Sequence, residues 1–433
     1  MNNTECCRRL TTRRKLVATL CGSSLISATG CLSFNSDKNS QTPQTNSQTP
    51  QTNSEETQKE PPRIGLGADT FERFSGLEVV DGRLSPDTER HVTGTQCAAL
   101  ETGADGAWLH ISLDEPMDFS NARLSCYLAT DGTSAGKYLY ANLSDKDGNR
   151  FRTRTVIRSH GELIQVDFAI VNPQVDNVAV DLENITRVSF RPGPRDQSGN
   201  EVVYLDSPNR VVAPDTAKVV FQFDDGNKTD YTEGLPYLSQ YDYPAITYVN
   251  TNTIGDTGKL DQRQLQELKE KGWLIGSHTA DHVDLKKLSD TAEIERQVRD
   301  AQEWLVDHGF TEGARHFAYP YNRIDEQALS VVSRFHDTGR VWGWQPIARP
   351  SNLQVIPGEG DPTPTKIREV LDQVIQYGGV VSIWYHSLSK DESLRNFKAV
   401  VDEVRERERV GDVDVIRHDE LESLASSTKQ SVL

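Results

Sequence analysis

Val219-Val220-Phe221-Gln222-Phe223-Asp224-Asp225-Gly226 carries a strand-like apolar run straight into two carboxylates and a glycine. A short run of this kind reads as a buried strand that delivers polar residues to its carboxyl end. Trp273-Leu274-Ile275-Gly276-Ser277 repeats the arrangement and runs into His278-Thr279-Ala280-Asp281-His282. Around these two stretches, β-like runs at 245–249, 315–319, 340–342, 380–385 and 414–416 alternate with helical patterns at 261–271, 291–307 and near 326, 370 and 400. Ile294, Val298, Ala301 and Leu305 share one face of the 291–307 segment, and Asp290 with Glu293 offers its cap. Such βα alternation predicts a parallel sheet or barrel over 214–433, with polar chemistry gathered where strands end.

The residue types at those ends suit metal-assisted proton chemistry. Adjacent carboxylates repel, so one of Asp224 and Asp225 is expected to favour a cation and the other a proton. His278 and His282, four apart, share a face if the segment is helical, a spacing that serves one metal ion. Two later phrases, His316-Phe317-Ala318-Tyr319-Pro320-Tyr321-Asn322 and Val380-Val381-Ser382-Ile383-Trp384-Tyr385-His386-Ser387, also follow or contain apolar runs. Taken singly, each feature has an ordinary structural reading: a helix cap for the Asp pair, a core position for His278, a packed His386. Together, and in this order, they point to one site.

The ordered set resembles the polysaccharide deacetylase family, the family-4 carbohydrate esterases. The resemblance covers about 214–425 and implies a distorted (β/α) barrel that removes acetyl groups from glycans. It implies that Asp225, His278 and His282 hold a divalent metal, usually Zn2+, with a position left for water. It further implies that Asp224 is the general base, that His386 is the general acid, and that the Tyr321 backbone N–H faces the oxyanion. Tyr319, Pro320 and Trp384 are the implied substrate-binding residues. The function so implied is hydrolysis of a carbon–nitrogen, non-peptide bond in an acetylated extracellular or envelope polysaccharide, N-acetyl in preference to O-acetyl. The alternatives are a glycan-binding surface protein without turnover and an amidase acting on a non-sugar substrate.

Three positions depart from the family pattern. Ala318 stands where many members have an arginine that orients the base, and nearby Arg315 is out of register for that task. Asn322 replaces a glycine, and Trp384 a leucine. The family's Asp/Trp segment has only Trp342 and Trp344 as counterparts here.

Residues 63–213 have a different rhythm. Short β-rich runs at 107–113, 122–129, 137–143, 152–157, 163–168, 185–191 and 201–205 are separated by turn clusters such as Asp131-Gly132-Thr133. This predicts an all-β sandwich of jelly-roll type, making the chain multidomain. It resembles the galactose-binding-like sandwiches of extracellular carbohydrate enzymes, with sugar binding and a spacer role both open.

Before this region, 32–62 is a polar linker containing QTPQTNS twice in tandem, at 41–47 and 48–54. It has too little apolar surface to fold alone. Residues 1–31 read as a targeting segment. Thr12-Arg13-Arg14-Lys15-Leu16-Val17 looks like a twin-arginine signal, and Ala28-Thr29-Gly30-Cys31 resembles a lipobox with Ala28 in the usual leucine position. The expectation is export to the outer face of the membrane, anchored through lipid on Cys31, with secreted soluble protein as the alternative. Cys97 and Cys126 then remain either as a disulfide pair or as buried thiols.

The chain has 433 residues with 47 Lys+Arg against 64 Asp+Glu, a net charge of −17. That balance argues against a nucleic-acid partner and suits an acidic surface in strong salt.

Overall fold

The computed structural model describes residues 66, 70–74, 77–103, 106–131, 137–171, 179–192 and 201–425. The expected signal at 1–31, the linker at 32–62 and Cys31 lie outside the described residues. Among the described residues, no helix is long and apolar enough to cross a membrane.

Two antiparallel sheets come first. One contains β1 (Leu77–Val80), β4 (Trp108–Met117), β6 (Tyr138–Asp145), β7 (Arg150–Val156), β9 (Ala169–Ile170) and β10 (Ile185–Pro192), in the order β1-β4-β10-β6-β7-β9. The other contains β2 (Gly82–Asp87), β3 (Cys97–Thr102), β5 (Ala122–Thr130), β8 (Ile164–Asp167) and β11 (Glu201–Val212), in the order β2-β3-β11-β5-β8. Alternation along the strands decides which side is buried. Leu109, Leu143 and Val188 of the first sheet share an apolar cluster with Leu100, Leu124 and Leu205 of the second. Cys97 and Cys126 are buried free thiols. Burial pushes the Cys97 thiol up to about 12, so it is no ready nucleophile.

The remainder is a parallel barrel. Its strands are β12 (Ala217–Phe223), β13 (Ala245–Val249), β14 (Leu274–Ser277), β15 (His316–Ala318), β16 (Thr338–Trp342), β17 (Ile356–Gly360) and β18 (Val380–Tyr385). β12 closes this seven-strand ring by pairing with both β13 and β18, and β19 (Val413–Val415) adds to its first half. Val219, Val220, Phe221 and Phe223 are all fully buried. A parallel strand covered on both faces requires such a continuous apolar run. β14 and β15 pair only at Ser277 and Phe317, which distorts the ring beside the histidine segment. Helices capped by Asp261 and Asp290 pack outside, and Ile294, Val298, Ala301 and Leu305 are buried as the spacing predicts.

The sheets and the barrel are in direct contact within one compact unit. The buried Arg123 guanidinium donates to the Tyr377 carbonyl at 2.9 Å, and Phe151 meets the Tyr377 ring edge-on at 5.1 Å. Glu326, first residue of a barrel helix, accepts from the backbone N–H groups of His160 and Gly161. The Glu326 contacts bring the loop after β7 against the barrel segment that follows β15.

Candidate metal centre and acid–base site

Asp224 and Asp225 leave the carboxyl end of β12, and a tight turn separates their tasks. Asp225 has φ 70° and Gly226 φ 57°. A Cβ on Gly226 would lie 2.9 Å from Val249 Cγ1, so this turn accepts only glycine at its second position. The histidine segment after β14 is a loop rather than a helix, with Thr279 at φ 67° and His282 at φ 55°. The i, i+4 spacing therefore works by a different route from the helical one: left-handed residues fold the loop until both rings face one point.

Asp225 Oδ1 is 3.6 Å from His278 Nε2 and 3.2 Å from His282 Nε2. All three ligand atoms lie within 4.8 Å of one another. A tetrahedral ion with bonds of about 2.0–2.2 Å needs donor atoms ~3.3–3.6 Å apart, so the donor set fits such a cation. Protonation fits as well. His278 Nδ1 is 2.7 Å from the Ala318 carbonyl, which can only accept, so Nδ1 carries the proton and Nε2 keeps its lone pair. Burial lowers His278 to about 4, keeping the ring neutral at ordinary pH, as a metal ligand must be.

Asp224 is 3% exposed and both its oxygens accept from Nη2 of Arg340, a fully buried residue on β16. The counter-charge to this carboxylate is thus a guanidinium, which a reading of Asp–Asp repulsion alone did not include. Arg340 Nη1 donates to Asn322 Oδ1 at 3.0 Å, and the guanidinium carbon lies 4.6 Å from the Trp384 ring centre. The departures at Ala318, Asn322 and Trp384 are therefore coupled. The arginine that pairs with Asp224 comes from another strand, Asn322 holds it while tolerating φ 55°, and Trp384 covers it. Arg315 instead pairs with Asp337 and Glu422, away from Asp224.

The larger Trp384 is accommodated by β17, a strand the sequence reading missed. A Cβ on Gly360 would lie 2.2 Å from Trp384 Cζ2. Gly360→Ala is expected to cost about 1–3 kcal/mol through overpacking, checked by urea denaturation.

Just beyond β17, Asp361 accepts from His386 twice: Oδ2 lies 2.6 Å from Nδ1 and Oδ1 lies 3.1 Å from the backbone nitrogen. Asp361, which the sequence reading did not single out, thus holds His386 in place. Its hydrogen bond is the largest cause raising the His386 pKa. With Nδ1 engaged, Nε2 is the position left for proton transfer. If His386 must be protonated to act, rate falls as pH rises through its pKa. Asp361→Asn removes the main raising influence, so the alkaline limb of the rate profile is expected to move to lower pH. A pH–rate series on both proteins checks this.

Tyr321 is 57% exposed and its ring lies 4.7 Å from that of His282. Tyr319 and Pro320, which the resemblance implies at the substrate, are both buried. Tyr319 is 1% exposed beneath Gly339, whose Cβ would lie 2.7 Å from Tyr319 Cε2. These two residues brace the turn. Trp384 is 5% exposed and forms a buried wall beside His386, at 4.8 Å between rings.

Residues 212–336 match the family model described as Polysaccharide deacetylase. The match includes Asp224, Asp225, His278, His282 and Tyr321, and ends before Arg340, Asp361 and His386. A poly-beta-1,6-N-acetyl-D-glucosamine N-deacetylase of Staphylococcus epidermidis is 30% identical over 128 residues, covering 27% of this chain and 44% of that protein. The Staphylococcus aureus (strain MRSA252) protein of the same name is 25% identical over 129 residues, with the same two coverages. The chain thus spans less than half the length of these curated relatives. A solved family 4 carbohydrate esterase from Streptomyces lividans, in complex with acetate, is 14% identical, covering 45% of this chain and 91% of that one, with a TM-score of 0.34. The family model and the curated relatives together support a polysaccharide deacetylase domain within the barrel, beginning around the strand that carries Asp224 and Asp225.

Proposed function

We propose that this protein is a metal-dependent hydrolase that removes N-acetyl groups from an extracellular or envelope polysaccharide. One observation carries the reading: the Asp225–His278–His282 donor set, the arginine-held Asp224 and the aspartate-held His386 all stand at the carboxyl ends of barrel strands. The Staphylococcus relatives are named N-deacetylases of an N-acetylglucosamine polymer, which supports N-acetyl over O-acetyl.

Asp225, His278 and His282 would hold the cation, with Zn2+ suited to two imidazoles and one carboxylate. When bound, it supplies Lewis-acid polarisation of the acetyl carbonyl and a lowered pKa for attacking water. Asp224 takes the water's proton on a carboxylate oxygen while Arg340 keeps that carboxylate in place. The Tyr321 N–H donates to the oxygen that gains charge. His386 gives its Nε2 proton to the departing sugar amine, and buried Trp384 closes the side of the acetyl site. The N-terminal pair of sheets is read as a jelly-roll-like sandwich over 63–213. Residues 1–62 are read as a twin-arginine lipoprotein leader and polar tether, displaying the head outside the cell through lipid on Cys31.

His278→Ala is expected to reduce bound metal to background and abolish acetate release in the same preparation. Elemental analysis and an acetate assay on N-acetylated glycans, with and without chelator, check both. Chelator-insensitive acetate release would overturn the metal-dependent reading. Glycan binding without acetate release in the metal-loaded protein would favour a binding protein.

A further inference from the structure

The outward side of the six-stranded sheet has a charge pattern opposite to that of the chain as a whole. Along β7, Arg150, Arg152 and Arg154 alternate with inward Phe151 and Thr153, and Arg158 follows just past the strand end. Strand register places Ser144 between Arg150 and Arg187, and Tyr140 between Arg154 and Arg191. With neighbouring strands about 4.8 Å apart and alternate residues ~6.7 Å apart, the arginines stand ~7 Å apart along β7 and ~10 Å apart across β6, an open lattice of guanidinium groups.

Arg150, Arg187 and Arg191 make no ion pair among the described residues, although the chain carries 64 acidic residues, and Arg154 acts on Glu359 without a close ion pair. On the barrel helices, by contrast, Arg296, Arg299 and Arg407 each engage carboxylates. Glu78, on the outermost strand, is the acid that faces His110.

The lattice has shape as well as charge. A cavity of about 200 Å³ is lined by Trp108, His110, Asn142, Arg150, Arg187 and Ser189, among others. Arg191 lies over the Trp108 ring at 5.3 Å. At the other end of the row, Arg154 stacks on Trp344 at 3.8 Å, and Arg158 donates to the carbonyl of Trp342, the last residue of β16. Arg158 also lines a second cavity, of about 530 Å³, with Lys286, Asn322, and the Lys287 and Arg323 that both pair with Asp284. Asn322 is the residue that holds Arg340 behind Asp224. The arginine row thus joins a polar, aromatic cavity on the sheet to a basic cavity beside the acid–base site.

We propose that this sheet face binds a polyanionic glycan, one bearing carboxylate or sulfate groups, and that the β7 arginines lead it toward the barrel site. Arginine forks match such anions bidentately, and an indole beside them suits a sugar ring's apolar side. The substrate class follows from the deacetylase reading above, on which this step rests: an acetylated acidic polysaccharide.

The full chain is tested by affinity electrophoresis at low ionic strength in gels containing polygalacturonate, dextran sulfate, neutral dextran or polyadenylate. Retardation is expected with polygalacturonate or dextran sulfate and to weaken steeply with added salt. The exposed pair Arg150→Gln/Arg187→Gln is expected to weaken binding more than tenfold, while Arg150→Lys/Arg187→Lys retains part of it. Turnover of a short, neutral acetylated oligosaccharide is expected to stay unchanged in the glutamine variant. Unaltered binding in that variant, equal retention by neutral dextran, or equal or stronger retention by polyadenylate would each overturn the proposal. Binding is read without turnover, so anion-selective retention in a protein that releases no acetate would sink the deacetylase reading and leave the binding site standing.

Discussion

Arg340→Met is expected to lower the free energy of unfolding by about 3–5 kcal/mol, because it leaves Asp224 buried without its counter-charge. The estimate rests on exposure: the Arg340 side chain is 0% and that of Asp224 5% exposed. Methionine fills much of the volume under Trp384, so the loss reports the missing pairing more than a cavity. Activity is expected to fall roughly 100-fold as well, the usual scale when a reacting group shifts by about 1 Å. The double variant Arg340→Met/Asp224→Asn separates the two effects. Without a buried carboxylate to strand, it is expected to recover most of the stability and none of the activity. Urea denaturation with acetate release on the same preparations checks this. A single variant within 1 kcal/mol of the parent would mean that water or another group already satisfies Asp224.

The contrast between Arg340 and the three candidate metal donors shows what made parts of the site legible. Asp225, His278 and His282 follow apolar runs, so their chemistry and their strand-end position could both be read from one short stretch. Arg340 lies inside its strand, within an inward-facing sequence that otherwise reads as packing, and its partner is 116 residues away. Only the closed barrel, which puts β16 across from β12, brings the two together.

β17 was illegible for a local reason. Ile356-Pro357-Gly358-Glu359-Gly360 has the composition of a turn, since proline and glycine both disfavour strands. The tertiary fit overrides that preference: β16 and β18 supply its pairing, and its glycines clear space for Trp384. With the strand unseen, Asp361 had no assigned place at a strand end and its link to His386 went unread. The left-handed loop at His278–His282 was hidden in the same way. A four-residue spacing is compatible with a helix, and only the φ values separate the two geometries.

Asp224→Asn is expected to slow acetate release by about 10²–10⁴-fold, the range associated with losing a positioned general base. Metal content should stay at the parent level, because Asp225, His278 and His282 are untouched. The asparagine carbonyl can still accept from Arg340, so the pocket keeps its shape while the group that takes the proton is lost. This combination distinguishes the base from a ligand: His278→Ala is expected to lose metal and rate together, whereas Asp224→Asn loses rate alone. Elemental analysis beside an acetate-release assay on both variants makes the comparison. Full activity in Asp224→Asn would remove this carboxylate as the base and leave Arg340 as the partner of a purely structural charge.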